Sequence, residues 1–410
     1  MIWKKVKSVA AWLHLWTGLV TGIVVVIVSI TGCIQVFDEE LFNLFHHDLV
    51  KVQVAGTPKP VSELMSIAQK TLGKKKPVTS IKVGEEDESY VFSATKAVKP
   101  EEAGLTYFSQ FKYNDDVYVN PYTGKILTVM DSRYEFFNVV EQLHRQLLLV
   151  KPIGSVVVGS CVLLFLLMMV TGFIIWLPKN LKQLKNSISI KWNAKWKRVN
   201  YDLHSSLGFW VLPVAMVIAL TGLTWAFKWW ETGVFNLLGS KGRPSIERKA
   251  PVITNADTTG KKKLDLAFMN LQQELKGDYT GINLTMPKKK DKVVMVVVYP
   301  KHKTDNWYNI SYYYLDLRTG KIFDKLLQSQ KSLGLKWRNS NKQIHTGRLF
   351  GWPTQILAFL ASLVCASLPI TGFLIWWGKR KKSNKKNKKP VIKQTQPSIP
   401  HPRKSYKVVQ

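Results

Sequence analysis

Residues 11–32 read AWLHLWTGLVTGIVVVIVSITG: one histidine, His14, heads an apolar run that closes on Thr31-Gly32. Leu203-His204 opens a second such run, closing on Thr221-Gly222, and the separation from histidine to threonine is 17 residues in both. Two further runs follow a histidine at longer range. Gln142-Leu143-His144 lies upstream of Thr171-Gly172-Phe173, with 27 residues from His144 to Thr171, and Gln343-Ile344-His345 lies upstream of Thr371-Gly372-Phe373, with 26 from His345 to Thr371. Offsets kept in order and in duplicate describe one hairpin of two apolar segments written twice. Repeats related by an axis along the membrane normal place equivalent residues at equal depth. His14 is therefore expected level with His204, and His144 with His345.

The apolar runs, Val9–Phe37, Ile153–Leu177, Leu207–Phe227 and Trp352–Trp377, each have the roughly 17 to 25 residues a membrane helix needs. They are apolar all round, which argues against amphipathic soluble helices. The expected fold is a membrane α-helical bundle of four transmembrane helices in two repeated hairpins, with two periplasmic α+β modules. The chain divides into helix 1 (9–37), a first module (38–143), helix 2 (144–177), a basic loop (178–203), helix 3 (204–228), a second module (229–344), helix 4 (345–377) and a basic tail (378–410). Lys4, Lys5 and Lys7 precede helix 1, the loop holds seven Lys or Arg against one acid, and from Lys379 the tail holds twelve and no acid. Positive charge in short flanks marks the cytoplasmic side, so both termini are expected inside a bacterial inner membrane and both modules outside. These flanks hold 22 of the 59 basic residues, so the net charge of +32 needs no nucleic acid as partner. A polybasic flank beside a span reads instead as a contact with anionic lipid.

Cys33, Cys161 and Cys365 all fall inside the spans and far apart, offering no disulfide framework and no C-x-x-C site. Ile30-Thr31-Gly32-Cys33 looks like a lipoprotein cleavage box, but its apolar run is long for a signal peptide and the matching Thr221-Gly222-Leu223 is internal. Span 1 is read as a retained anchor. Each module ends in a hairpin signature, Val117 to Ile126 and Tyr313 to Ile322, with alternating β-branched and aromatic residues around Asn120 or Asp316 and a Gly. Helices are expected near Val61–Leu72 and Leu264–Leu275. The modules differ in charge, 16 acids against 12 bases in the first and 10 against 21 in the second. Neither has the spacing of a hydrolase triad or a phosphate loop, so no residue is assigned to bond-making chemistry.

With these motifs in hand, the chain resembles the PepSY-associated transmembrane family. The resemblance rests on Leu-His at the start of spans 1 and 3, Thr-Gly late in every span, the Asn/Asp-x-x-Thr-Gly-Lys hairpins of PepSY-like modules, and Gly-Phe-x-Ile-Trp at Gly172 to Trp176, with Gly372-Phe373-Leu374-Ile375-Trp376 beside it. Family members include iron-regulated inner-membrane proteins, some similar to di-haem reductases of ferric siderophores. The resemblance implies two haem b groups, with His14/His204 and His144/His345 as axial ligands of the haem iron.

The residues lead the same way. An ionisable side chain in a lipid-embedded bundle faces the interior and has a partner, and two imidazoles per level with no third donor suit a haem whose porphyrin supplies the rest. No C-x-x-C-H occurs, so attachment would be non-covalent. Gly32, Gly172, Gly222 and Gly372 would let a flat macrocycle approach the backbone, or simply let helices pack as in Gly18-x-x-x-Gly22. Pro152 and Pro353 each follow an outer histidine by eight residues and are expected to kink or start the spans. On the resemblance, electrons would pass from a cytoplasmic or quinol donor to a periplasmic ferric siderophore or similar chelate. One difficulty is length: His14 to Phe37 covers about 35 Å of helix. Two alternatives stay open, a non-enzymatic anchored PepSY binding module and a component of siderophore or metal transport, for which His46, His47 and His302 are surface candidates. Trp225, Trp229 and Trp230 read as interface anchors.

Overall fold

The computed structural model describes residues 2–178, 180–249, 261–287 and 292–386; most of the basic tail lies outside them. Four helices are long and apolar enough to cross a membrane: Ile2–Val36, Lys151–Trp176, Trp196–Ala226 and Trp352–Arg380, the last continuing to Lys386. They form a bundle in which helix 1 packs on helices 2 and 4, and helix 3 on the same two, so helices 1 and 3 face each other across the diagonal. Helix 1 starts at Ile2 rather than 9, while helices 2 and 4 start at Lys151 and Trp352, seven residues after the expected bounds of 144 and 345. Helix 3 begins at Trp196, not 204, absorbing the end of the basic loop, and it opens to a wider π-type turn over Leu203–Leu207, at His204.

The largest difference from the sequence reading concerns the outer histidines. His144 and His345 do not start the spanning helices. His144 lies near the end of a separate helix, Phe136–Gln146, and His345 ends another, Leu333–His345. Tight turns then lead into the spans. Leu147 and Leu148 adopt φ of 54° and 56° after the first, and Gly347 adopts φ of 77° after the second. A Cβ at Gly347 would lie 2.2 Å from the Thr354 carbonyl oxygen, so only glycine fits there. Pro152 and Pro353 each occupy the second position of a spanning helix, where the missing N–H costs nothing.

The inserts do not form two separate modules. Their strands join into one antiparallel eight-stranded sheet ordered β4-β3-β2-β1-β5-β6-β7-β8, with β1 Ser80–Val83, β2 Tyr90–Ala97, β3 Phe111–Val119, β4 Ile126–Asp131, β5 Gly281–Thr285, β6 Val293–Tyr299, β7 Ser311–Asp316 and β8 Lys321–Leu326. The seam is β1 on β5, with Ser80 opposite Thr285 and Val83 opposite Ile282. Apart, these two strands would be exposed edges; pairing them satisfies both rows of backbone groups. The Val61–Leu72 and Lys261–Leu275 helices share one core on the sheet, where Leu64, Ile81, Phe92, Leu271, Ile282 and Leu284 are buried together. Asp265 ties the helices by accepting from the backbone N–H of Ser62 at 2.8 Å. Both expected hairpins form, β3–β4 and β7–β8. Arg348 fastens the start of helix 4 to the segment after helix 1, 2.8 Å from Asp38 and 2.6 Å from Glu40.

Candidate functional site

Each histidine is held by the Thr-Gly segment of a neighbouring span, in the same way four times. His14 Nδ1 donates to the Met168 carbonyl at 2.9 Å, His144 Nδ1 to Val28 at 2.8 Å and His204 Nδ1 to Leu368 at 3.1 Å. His345 Nδ1 lies 2.9 Å from Thr221 Oγ1 and also engages the Ile218 carbonyl. Met168, Val28, Leu368 and Ile218 each stand three residues before the threonine of their Thr-Gly pair. The threonines add to the cradle: Oγ1 of Thr31, Thr171 and Thr371 lies 3.1, 3.5 and 3.0 Å from His144, His14 and His204 Nδ1. Each Thr hydroxyl donates back to its own helix, as Thr31 does to Ile27 at 2.7 Å.

Glycine supplies the space. A Cβ at Gly32, Gly172, Gly222 or Gly372 would lie 3.3, 2.9, 3.3 or 3.1 Å from Cε1 of His144, His14, His345 or His204. These glycines therefore admit the imidazole edge to the helix, a closer reason than the macrocycle contact read from the sequence, although all four also line the cavities below.

A carbonyl oxygen can only accept, so the proton resides on Nδ1 and the lone pair on Nε2. Orienting one imidazole nitrogen with a backbone acceptor is how proteins prepare the other for a metal. The rings then meet in pairs across the bundle diagonal. His14 and His204 have ring centroids 6.1 Å apart, and so do His144 and His345. An ion midway sits about 3 Å from each ring centre, the reach of a nitrogen–metal bond of about 2 Å plus half a ring. Among the described residues no group of three or more His, Cys, Asp and Glu that could hold a metal ion is present, so each pair by itself offers a metal two donors.

Each pair opens on a cavity. The one at the sheet end, about 320 Å³, is lined by His144, His345, Gly32, Gly222 and Trp225; the one at the tail end, about 420 Å³, by His14, His204, Gly172, Gly372, Trp176 and Trp376. Both fall in the range of cofactor sites, and both are walled by apolar side chains, so a flat apolar group bearing its own four donors fits the donor set and the walls. Phe165, Ala215 and Cys365 line both cavities. One layer of side chains therefore divides them. The two histidine levels meet helix 1 at His14 and Gly32, about 27 Å of helix apart, shorter than the length to Phe37.

Residues 11–379 match the family described as the PepSY-associated TM region. The chain belongs to that family. No curated protein matches it. The PepSY-associated TM region takes in the four paired histidines and the four Thr-Gly segments that hold them, together with two residues the sequence reading passed over. Asn200 and Asn341 are buried, and each donates through Nδ2 at 3.1 Å, to the carbonyls of Thr371 and Thr221. Each stands four residues before a histidine, His204 and His345, a spacing visible in the sequence. The corresponding positions before His14 and His144 are Ala10 and Val140. Trp225 packs edge-on to His345 with centroids 5.3 Å apart, while Trp229 is exposed as an anchor would be. His47 and His302 are exposed, and His302 pairs with Asp278 at 2.7 Å.

Proposed function

We propose that this multi-pass membrane protein is a di-haem b oxidoreductase of a bacterial inner membrane that reduces a periplasmic ferric siderophore or similar ferric chelate. The observation that carries the reading is the doubled histidine pair, each with ring centroids 6.1 Å apart and each Nδ1 engaged by a neighbouring helix, which would leave Nε2 to ligate. His14 and His204 would hold one haem and His144 and His345 the other, each supplying a one-electron iron couple at its own depth.

The chain's own residues set the conditions. The carbonyls of Met168, Val28, Leu368 and Ile218 fix the ring tautomers, the glycines fix the ring positions, and the walls of the space between are mostly apolar. Phe165, Ala215 and Cys365 form the thin partition through which electrons would pass. The basic loop and flanks favour the tail end as cytoplasmic, where a soluble or quinol donor would deliver electrons, and the sheet end as periplasmic, where the chelate would receive them. Iron(II) is held less tightly than iron(III) by hard oxygen donors, so reduction frees the metal.

The test is the dithionite-reduced minus oxidised spectrum of the purified full chain, with a pyridine haemochrome count and the His14→Ala and His345→Ala variants. Two b haems per chain, one lost in each variant, are expected. A haem-free protein from haem-replete cells would refute the reading and leave an anchored binding module in its place.

A further inference from the structure

The two cavities differ in charge. One charged residue, Lys379, lines the tail-side cavity. The sheet-side cavity has an apolar body but is also lined by four cations, Arg145, Lys151, Arg338 and Lys342, against one carboxylate, Glu141. All four cations sit on the short helices or at the first turn of a span, at the end away from the bundle centre. Arg145 follows His144 directly, and Arg338 and Lys342 lie one turn apart on the helix that ends in His345.

Acids hold three of the side chains, Glu141 from within the cavity lining itself, without exhausting them. Arg145 Nη1 reaches Glu141 at 2.7 Å, Arg338 Nε reaches Glu231 at 2.5 Å, and Lys342 lies 3.4 Å from Asp38 and 3.5 Å from Glu39. A guanidinium has five N–H donors, so Arg145 and Arg338 keep several for a ligand. Lys151 is exposed, and among the described residues its ammonium makes no ion pair or hydrogen bond. The ion pairs account for the placing of three of the cations but not for Lys151, and the donors left over at the cavity mouth suit charge-assisted bonds to carboxylates.

We propose that Arg145, Lys151, Arg338 and Lys342 form a carboxylate-binding rim over the sheet-side cavity. Two sources present that chemistry: the propionates of a haem seated on His144 and His345, and the carboxylates of a ferric chelate docking above it. The first source rests on the function proposed above; the second does not require haem to be bound.

The experiment uses the full chain in detergent, in the His14→Ala background so that only the sheet-side pair remains, with Lys151→Gln and Lys342→Gln added singly and together. Lys151→Gln carries little risk to folding, because no described residue is paired with it. Haem is withdrawn and returned as iron protoporphyrin or as its dimethyl ester, and ferric citrate binding is measured separately by calorimetry. If propionates are the occupants, the native group binds at least about tenfold tighter than the ester and the double variant abolishes the difference. If chelate carboxylates are, the double variant weakens ferric citrate at least about tenfold while haem affinity stays put. A protein that takes neither porphyrin refutes the di-haem reading, and citrate alone then decides the rim. No difference in either measurement overturns the rim.

Discussion

Replacing Gly172 by alanine puts a methyl group 2.9 Å from Cε1 and 3.2 Å from Nδ1 of His14, where ordinary contact begins at 3.4 Å. The ring must retreat by about half an ångström, the tolerance within which a ligand constellation still works. It cannot retreat freely, because Nδ1 is bonded to the Met168 carbonyl at 2.9 Å and the same movement stretches that bond past the normal range. Overpacking costs about 1–3 kcal/mol and the weakened hydrogen bond about 1 kcal/mol, so the tail-side site should lose upward of tenfold in haem affinity. At Gly32 the equivalent methyl meets His144 Cε1 at 3.3 Å, a conflict of about a tenth of an ångström that the ring absorbs. The expected order of damage is Gly172→Ala, then Gly372→Ala, then Gly32→Ala and Gly222→Ala nearly alike. Haem transfer to apomyoglobin gives the loss rate, and low-temperature EPR of the low-spin signals gives the site. Equal rates in the Gly172 and Gly32 variants, or loss of the sheet-side signal in Gly172→Ala, would show that these glycines do not set the imidazole positions.

Two further substitutions probe other parts of the argument. Asn341→Ala removes the 3.1 Å bond to the Thr221 carbonyl, and because Asn341 Oδ1 has no partner to lose, the effect should sit near the tenfold lower end for groups behind a ligand; it should fall on the sheet-side haem alone, and loss from both sites by haemochrome count would contradict it. Burial pushes the Lys331 ammonium down to about 8, against a pull upward from Asp305 and a further push from Lys336. The burial cost is therefore fully present below pH 8 and is relieved between pH 8 and 10.5, where the folded state has released a proton that the unfolded chain retains. Lys331→Met also gives up the ammonium's bonds to Ile310 and Gln328 and its place over Tyr312, so the readout is the pH dependence: relative to the variant, the parent should gain at most about 3 kcal/mol between pH 8 and 10.5, and thermal circular dichroism of the sheet would refute this by a difference that stays constant or moves the other way.

The bundle and the partners of each histidine were legible in the sequence because both follow from local pattern. All-round apolar runs need no tertiary information, and equal offsets from His14 to Thr31 and from His204 to Thr221 can only mean equal depth once the helices stand side by side. The Val61–Leu72 helix and the hairpins around Asn120 and Asp316 were likewise written in neighbouring residues. What escaped depends on contacts across long stretches of chain. The β1–β5 seam joins strands about two hundred residues apart, and Ser80–Val83 carries no mark saying which edge it will cover. The detachment of His144 from its span lies in backbone conformation: Leu147 and Leu148 take positive φ, which non-glycine residues rarely adopt. The role of the glycines was half legible. Small residues beside a histidine level were expected, but that they face the imidazole edge required the neighbouring helix to be in place.

Those glycines make sense together with the carbonyls. A neutral imidazole inside an apolar bundle has one donor and one acceptor, and leaving either unsatisfied costs free energy. The Thr-Gly segment satisfies the donor: the threonine hydroxyl bonds its own helix, the carbonyl three residues earlier takes the Nδ1 proton, and the glycine lets the ring close enough for both. Nothing in the segment serves Nε2. A bundle that needed only stability would have no reason to satisfy half of an imidazole four times, in facing pairs, around two cavities. On the proposed reading, the Nε2 lone pairs of two rings with centroids 6.1 Å apart are what a ligand entering each cavity would complete, and its binding would then add to the stability of the bundle. The repeat makes the two levels alike; the four cations lining the sheet-side cavity are what distinguish it from the tail-side one.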